Sequence, residues 1–237
     1  MKYACVTGAG RGVGFELVNG LLNEGYCVFA GIRKESPELN KLKMEFGDML
    51  HIIEMDISND DSVREASRYI EENTSSLDIL INNGAILGDI DATVFDEIDF
   101  NEINKVINVN AAGALRVSNG LIKLVMGSQE KLIVNISSEA GSIGSCGRQG
   151  WFGYCMSKAA LNMGSNLVHN GIKEAGGQVM VIHPGHVRTY MRGELDTTGA
   201  LAPEESAEFI LRLVKEHEKY KAEQAVFLDY LGNKMEW

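Results

Sequence analysis

Tyr154 and Lys158 stand four residues apart in the segment Tyr154-Cys155-Met156-Ser157-Lys158, inside a stretch from Tyr154 to Lys173 that reads as a helix. At that spacing both side chains project from one helix face. A free phenol has a pKa of about 10, too high for efficient proton exchange near neutrality, and a neighbouring ammonium stabilises the phenolate. The pair is therefore a candidate acid–base catalyst, and Tyr154 is expected below its ordinary pKa. A second segment with chemistry in it is Thr7-Gly8-Ala9-Gly10-Arg11-Gly12-Val13-Gly14. It lies between the apolar run Ala4–Thr7 and the helical spacing of Phe15, Leu17, Val18, Leu21 and Leu22. A strand, a tight turn and a helix N-terminus offer free N–H groups and the helix dipole to a phosphate. The strict G-x-G-x-x-G pattern is not met, because position 13 is valine; the spacing present is T-G-x-x-x-G-x-G.

The elements that must position these residues alternate along the whole chain. Strands are expected at 4–7, 27–30, 50–53, 77–81, 132–136, 179–182 and 225–228. Helices are expected after the glycine turn, over 59–73 behind an Asn or Asp cap, over 100–126 and over 154–173. Runs of β-branched residues separated by helices predict an α/β fold, a doubly wound parallel sheet of about seven strands covered on both faces. No linker divides the 237 residues, so a single domain is expected.

Composition narrows the partners. Glycine is abundant, with 26 residues against 3 prolines, and no G-x-y period accompanies it, so tight turns are the reading. The net charge of −11 argues against nucleic acid. Cys5, Cys27, Cys146 and Cys155 form no C-x-x-C pair, and the opening Met1-Lys2-Tyr3 shows no signal-peptide pattern. A cytoplasmic protein with free thiols is expected. No apolar run is long enough for a membrane span. Neither His183 with His186 nor the acidic stretch Asp89–Asp99 has the spacing of a metal site, so no metal is expected.

These segments resemble the short-chain dehydrogenase/reductase superfamily, over nearly the whole chain. Gly8, Gly12 and Gly14 match the glycines that line the dinucleotide in that family, with Val13 among them. Asp56, in Met55-Asp56-Ile57-Ser58, matches the aspartate near the adenine ring, with Ile57 beside it. Asn82-Asn83-Gly84-Ala85 resembles the family's N-N-A-G with its last two residues exchanged, which implies an altered turn beside the ribose. Asn110, Ser138, Tyr154 and Lys158 fall on the catalytic tetrad. The resemblance implies a Rossmann-type fold and the following roles: Tyr154 protonates the carbonyl oxygen, and Ser138 hydrogen-bonds it. Lys158 holds the nicotinamide ribose and lowers the tyrosine pKa, while Asn110 anchors a relaying water. His183-Pro184-Gly185-His186-Val187-Arg188-Thr189 is similar to P-G-x-V-x-T, with Pro184, Gly185, Val187 and Thr189 against the nicotinamide side.

The family position for a ribose-binding aspartate is Gly31, whereas Arg33 and Arg11 suit a 2′-phosphate; NADP(H) is therefore expected. The loop between Ser138 and Tyr154 is longer than in most of the family and carries Trp151 and Phe152. With the tail from Phe227 to Trp237, it resembles the sniffer-type carbonyl reductases and C-factor-like proteins. A substrate lid is expected over 187–203, with Tyr190, Met191 and Leu195 as apolar contacts and Gly193 and Gly199 as hinges. NADPH-dependent reduction of a hydrophobic ketone, aldehyde or quinone is the activity implied, with an NADP(H)-binding signalling or sensor protein as the alternative. Helices 100–126 and 154–173 often pair across a dimer axis in this family, so a homodimer is expected ahead of a tetramer or monomer, with Ala159, Ala160, Met163 and Gly164 at the contact.

Overall fold

A computed structural model describes residues 1–191 and 193–237. Seven strands form one sheet: β1 (Lys2–Thr7), β2 (Tyr26–Ile32), β3 (Leu50–Glu54), β4 (Ile79–Asn82), β5 (Leu132–Ile136), β6 (Gln178–His183) and β7 (Val226–Asp229). Their order is β3-β2-β1-β4-β5-β6-β7 and every pairing is parallel. The helices are α1 (Gly12–Asn23), α2 (Pro37–Phe46), α3 (Asp60–Asn73), α4 (Phe100–Ile107), α5 (Gly113–Met126), α6 (Phe152–Ile172) and α7 (Pro203–Lys215).

The strands are apolar on both faces because both faces are covered. On β1, Ala4 and Val6 point into a core shared with Leu17, Leu21, Leu39, Ile210 and Leu211 of α1, α2 and α7. Cys5, between them, points into the opposite core with Val63, Ile70, Val117 and Leu121 of α3 and α5. This alternation with period 2 is the geometry of an extended chain. Chain order turns back between β1 and β4, so β1 connects outward to β2 while β4 starts the other half. A crevice at the carboxyl ends of the strands follows from that reversal.

Two departures from expectation have clear causes. The run 100–126 is interrupted by a π turn at Asn108–Ala112 between α4 and α5. Two helices were not expected: α2, which buries only Leu39 and Leu42, and α7, which buries Ala207, Ile210, Leu211, Leu213 and Val214; the starts of both carry a further signal. Ser36 accepts the Leu39 N–H ahead of Pro37, and Glu205 accepts the Ala202 N–H across Pro203. The acidic stretch is spent on turns: Asp89 accepts the Asp91 N–H, Asp96 the Thr93 N–H, and Asp99 caps α4.

A buried polar ladder crosses the sheet below the crevice. Asn82 donates to Asn135 Oδ1 at 2.8 Å and to Ser118 at 3.0 Å, and Asn135 donates to Ser165 at 2.7 Å. Removing the middle rung strands polar groups away from water. We expect Asn135→Ala to lower unfolding free energy by about 2–3 kcal/mol, seen as a lower urea midpoint at unchanged slope.

Candidate active site

The glycine turn and the end of β4 are in backbone contact. A Cβ on Gly8 would stand 2.6 Å from the Gly84 Cα, and one on Gly14 would overlap the Gly8 carbonyl oxygen. Gly8 and Gly12 hold φ of +64° and +57°. Thr7 Oγ1 accepts the N–H groups of both Asn83 and Gly84 at 3.0 Å, and Asn83 Nδ2 donates back to the Thr7 and Gly8 carbonyls. The exchanged glycine of Asn82-Asn83-Gly84-Ala85 therefore sits where Gly8 needs it. The Asn83 side chain locks β1 to β4 instead of facing the crevice. Thr7 is a site residue that sequence reasoning missed.

Arg11 precedes α1 in extended conformation and no side chain caps the helix, so its first N–H groups stay available to an anion. Arg11 and Arg33 are exposed, and Arg33 is close enough to Asp56 to help lower its pKa. The larger cause is Ser58, whose hydroxyl donates to Asp56 Oδ1 at 2.6 Å. Ile57 is buried against Gly84 and Gly113. Its carbonyl accepts from Arg116, which also pairs with Asp60, so the loop after β3 is tied to α5. At Gly31 a Cβ would stand 3.1 Å from Met55 Sδ.

Tyr154 and Lys158 lie on the buried face of α6, 8% and 2% exposed. Lys158 Nζ donates to the Ile136 carbonyl at the end of β5, at 2.8 Å, and stands 5.6 Å from the Tyr154 ring centre. Gly141 makes this possible: a side chain there would collide with the Lys158 backbone. Ser138 lies close enough to the Tyr154 phenol to help lower its pKa, whereas Ser137 points the other way and donates to Asn162. Asn110 lies in the π turn, a feature frequent at functional sites. Its amide nitrogen donates to the Ile86 carbonyl and to Ser157, and its oxygen accepts the Ile86 N–H.

The expected depression of the tyrosine pKa is corrected by these surroundings. Burial pushes the phenol up to about 12, with the nearby Ser138 hydroxyl pulling the other way. Burial also lowers Lys158 to about 8, because a dry site disfavours the ammonium. Each group is thus held toward its neutral form, and a protonated phenol is what a general acid requires. His183, unassigned by sequence beyond its motif, is mostly buried, with an unpartnered Nδ1, and its own pKa is lowered by burial.

Gly185, at φ +84°, turns the chain after β6, and Ser206 donates to the Pro184 carbonyl. Val187 bridges to Leu201, closing the base of the excursion between them. Thr189 comes within 3.6 Å of where a Gly12 Cβ would stand, so this loop meets the glycine turn. The His186 ring bonds Asp196 at 2.9 Å, and the Asp196 N–H donates to the Thr189 carbonyl. Tyr190, Met191 and Leu195 are exposed. Trp151 stands edge-on to Tyr154, 6.1 Å between centroids. Phe152 does not join it: it lines a small cavity with Ile98, Ile103 and Val106. Among the described residues the cysteines are free and no group of three or more His, Cys, Asp or Glu is placed to hold a metal. No helix there is long and apolar enough to cross a membrane.

Comparison with known proteins decides the family. The model for short chain dehydrogenases matches residues 2–199. The chain belongs to the short-chain dehydrogenase family. It is 33% identical over 230 residues to an uncharacterised oxidoreductase of Schizosaccharomyces pombe, covering 90% of each chain. NADPH-bound carbonyl reductase from chicken fatty liver superposes with a TM-score of 0.88 at 28% identity, over 100% of this chain and 94% of that one. The carbonyl reductase Sniffer of D. melanogaster shares the fold, with a TM-score of 0.90 at 24% identity over 100% of both chains. This short-chain dehydrogenase is accordingly an oxidoreductase with a carbonyl reductase-like architecture.

The buried lysine carries a pH dependence. Its folded pKa is about 8 against an ordinary 10.5. Between those values the unfolded chain holds a proton that the folded chain has released, so stability rises with pH across the window. Wild type should gain up to about 3 kcal/mol over Lys158→Met between pH 8 and 10.5, measured by urea unfolding of both proteins at each pH.

Proposed function

We propose that this short-chain dehydrogenase reduces a hydrophobic ketone, aldehyde or quinone to the alcohol with NADPH, Tyr154 acting as general acid. The observation that carries the reading is the buried Tyr154 phenol, with Ser138 beside it and Lys158 5.6 Å from its ring centre. The crevice suits a dinucleotide: the close-packed glycines leave room beside the uncapped start of α1, and the Thr189 loop closes the other side. Gly8, Gly12, Val13 and Gly14 would hold the pyrophosphate, Asp56, Ile57 and Gly84 the adenosine, and Pro184, Gly185, Val187 and Thr189 the nicotinamide end. The bound cofactor supplies hydride.

The chain's own residues supply the rest. Ser138 donates a hydrogen bond to the substrate oxygen and sets it beside Tyr154. The Tyr154 O–H gives its proton to that oxygen as negative charge develops there. Lys158 restores the proton and holds the ribose. Asn110, whose side chain is spent on Ile86 and Ser157, anchors the relaying water through the loosened backbone of its π turn. Trp151, Tyr190 and Met191 offer an apolar wall, and the excursion over 187–203 serves as lid. A pure sensor would not need Ser138 and Tyr154 together.

NADPH is preferred over NADH on two counts. A ribose-binding carboxylate at position 31 would meet Met55. Arg11 and Arg33 stand exposed at the same edge, where a 2′-phosphate would pair with them.

Tyr154→Phe should retain NADPH binding and lose about 10²–10⁴-fold in ketone reduction, followed by loss of NADPH absorbance; full activity in that variant would defeat the mechanism. Michaelis constants for the two cofactors test the other half, and a lower value for NADH would defeat it. Met156, Ala160, Met163 and Leu167 form an exposed stripe on α6, and a second copy of the chain is its proposed cover. Sedimentation should find a dimer, and Met163→Asp should shift it to the monomer.

A further inference from the structure

The long loop before α6 contains a charged cluster that the reaction above does not use. Arg148 donates to both oxygens of Glu139, Nη1 to Oε2 at 2.8 Å and Nη2 to Oε1 at 2.5 Å. This fork-on-fork pairing fixes orientation as well as distance. Glu139 directly follows Ser138. The same guanidinium lies with Cζ 5.0 Å from the centre of the Trp151 ring, which stands at 71° to the ring of Tyr154. Trp151 holds φ +64°, a left-handed conformation that persists only where surrounding contacts over-determine it. One cation thus grips both ends of the excursion between Ser138 and Tyr154: the carboxylate beside the first, and the indole three residues before the second.

We propose that Arg148 is a positioning residue for carbonyl reduction, clasping Glu139 to Trp151 so that the indole orients an apolar substrate against Ser138 and Tyr154. The inference rests on the reductase reading and adds a specificity element to it. The charged and titratable groups around the phenol are Glu139 from the turn after β5, Arg148 from the loop, and Cys155 and Lys158 from α6 itself. His183 of β6 faces Lys158. Behind the larger effects of burial and Ser138, Glu139 raises the phenol pKa and Arg148 lowers it. A purely structural ion pair would fail in the same way whichever partner was lost. Two opposed charges beside Tyr154 fail in opposite ways.

The test compares full-length wild type, Arg148→Met, Arg148→Lys and Glu139→Gln. Each is assayed with NADPH on a bulky aryl ketone and on propanal, and in alcohol oxidation with NADP⁺ across pH at low salt. Arg148→Met should raise KM for the aryl ketone on the order of tenfold and leave kcat for propanal within about twofold. In oxidation, where Tyr154 acts as base, the pH of half-maximal rate should move up in Arg148→Met and down in Glu139→Gln. Arg148→Lys keeps the charge but loses the fork, so it should share the KM rise without the pH shift. Equal KM effects on both carbonyls, or pH shifts of the same sign, would overturn the proposal. Trp151 and Trp237 are the two tryptophans. In a Trp237→Phe background, Arg148→Met should red-shift the Trp151 emission, and an unchanged spectrum would overturn the clasp whatever the turnover. Absence of turnover in wild type would overturn the reductase reading instead, leaving the emission to decide the clasp alone.

Discussion

The crevice depends on a backbone contact that no side chain could share. The turn after β1 and the end of β4 meet at Gly8, Gly14 and Gly84, with Thr7 and Asn83 hydrogen-bonded across the junction. Those strands are neighbours at the point where the connections diverge. Pulling their ends together opens the start of α1 toward the space above the sheet. The close packing of three glycines and the exposure of one helix terminus are a single arrangement seen from two sides.

From that junction the site extends along the carboxyl edge through buried polar groups. Asn82, Asn135 and Ser165 link β4, β5 and α6, while Asn110 and Ser157 link the π turn to α6. Bonds among groups so far from water, which leave Asn82 Oδ1 alone of them unpartnered, fix the relative rotation of α5 and α6 more tightly than apolar contact would. Lys158 belongs to the same scheme. Its ammonium reaches a strand-end carbonyl because Gly141 lets the turn after β5 lie against its backbone. The dry surroundings that result hold Tyr154 protonated and weaken the hold of Lys158 on its own proton.

Much of this was legible in the sequence, and what was not has identifiable causes. Period-2 and period-3.6 apolar patterns located the seven strands and the major helices, because a sheet covered on both faces leaves long apolar runs. Tyr154 with Lys158, and Ser138 over Ser137, were readable from spacing and family likeness, and the structure brings these side chains together. Three features were hidden. The sign of the Tyr154 pKa shift depends on burial, which no motif encodes. The inward turn of Asn83 depends on the Thr7 and Gly8 carbonyls, distant in sequence. Phe152 and Trp151 are adjacent in the chain, yet the start of α6 sends them to different places.

The bridge between Val187 and Leu201 has a consequence for how such a protein can change over evolutionary time. It pins the two ends of the intervening segment beside each other, with Arg188 N–H and Leu201 N–H each answered across the gap. Lengthening a loop whose ends are already joined costs only a logarithm of its length in closure entropy. Exposed positions such as Leu195 can therefore be exchanged without disturbing β6 or α7, whereas Thr189 meets the glycine turn and Gly199 packs against the Val187–Arg188 backbone. The exposed part of the segment is a replaceable module on a fixed socket, and a descendant could acquire a new substrate range while inheriting the chemistry unchanged.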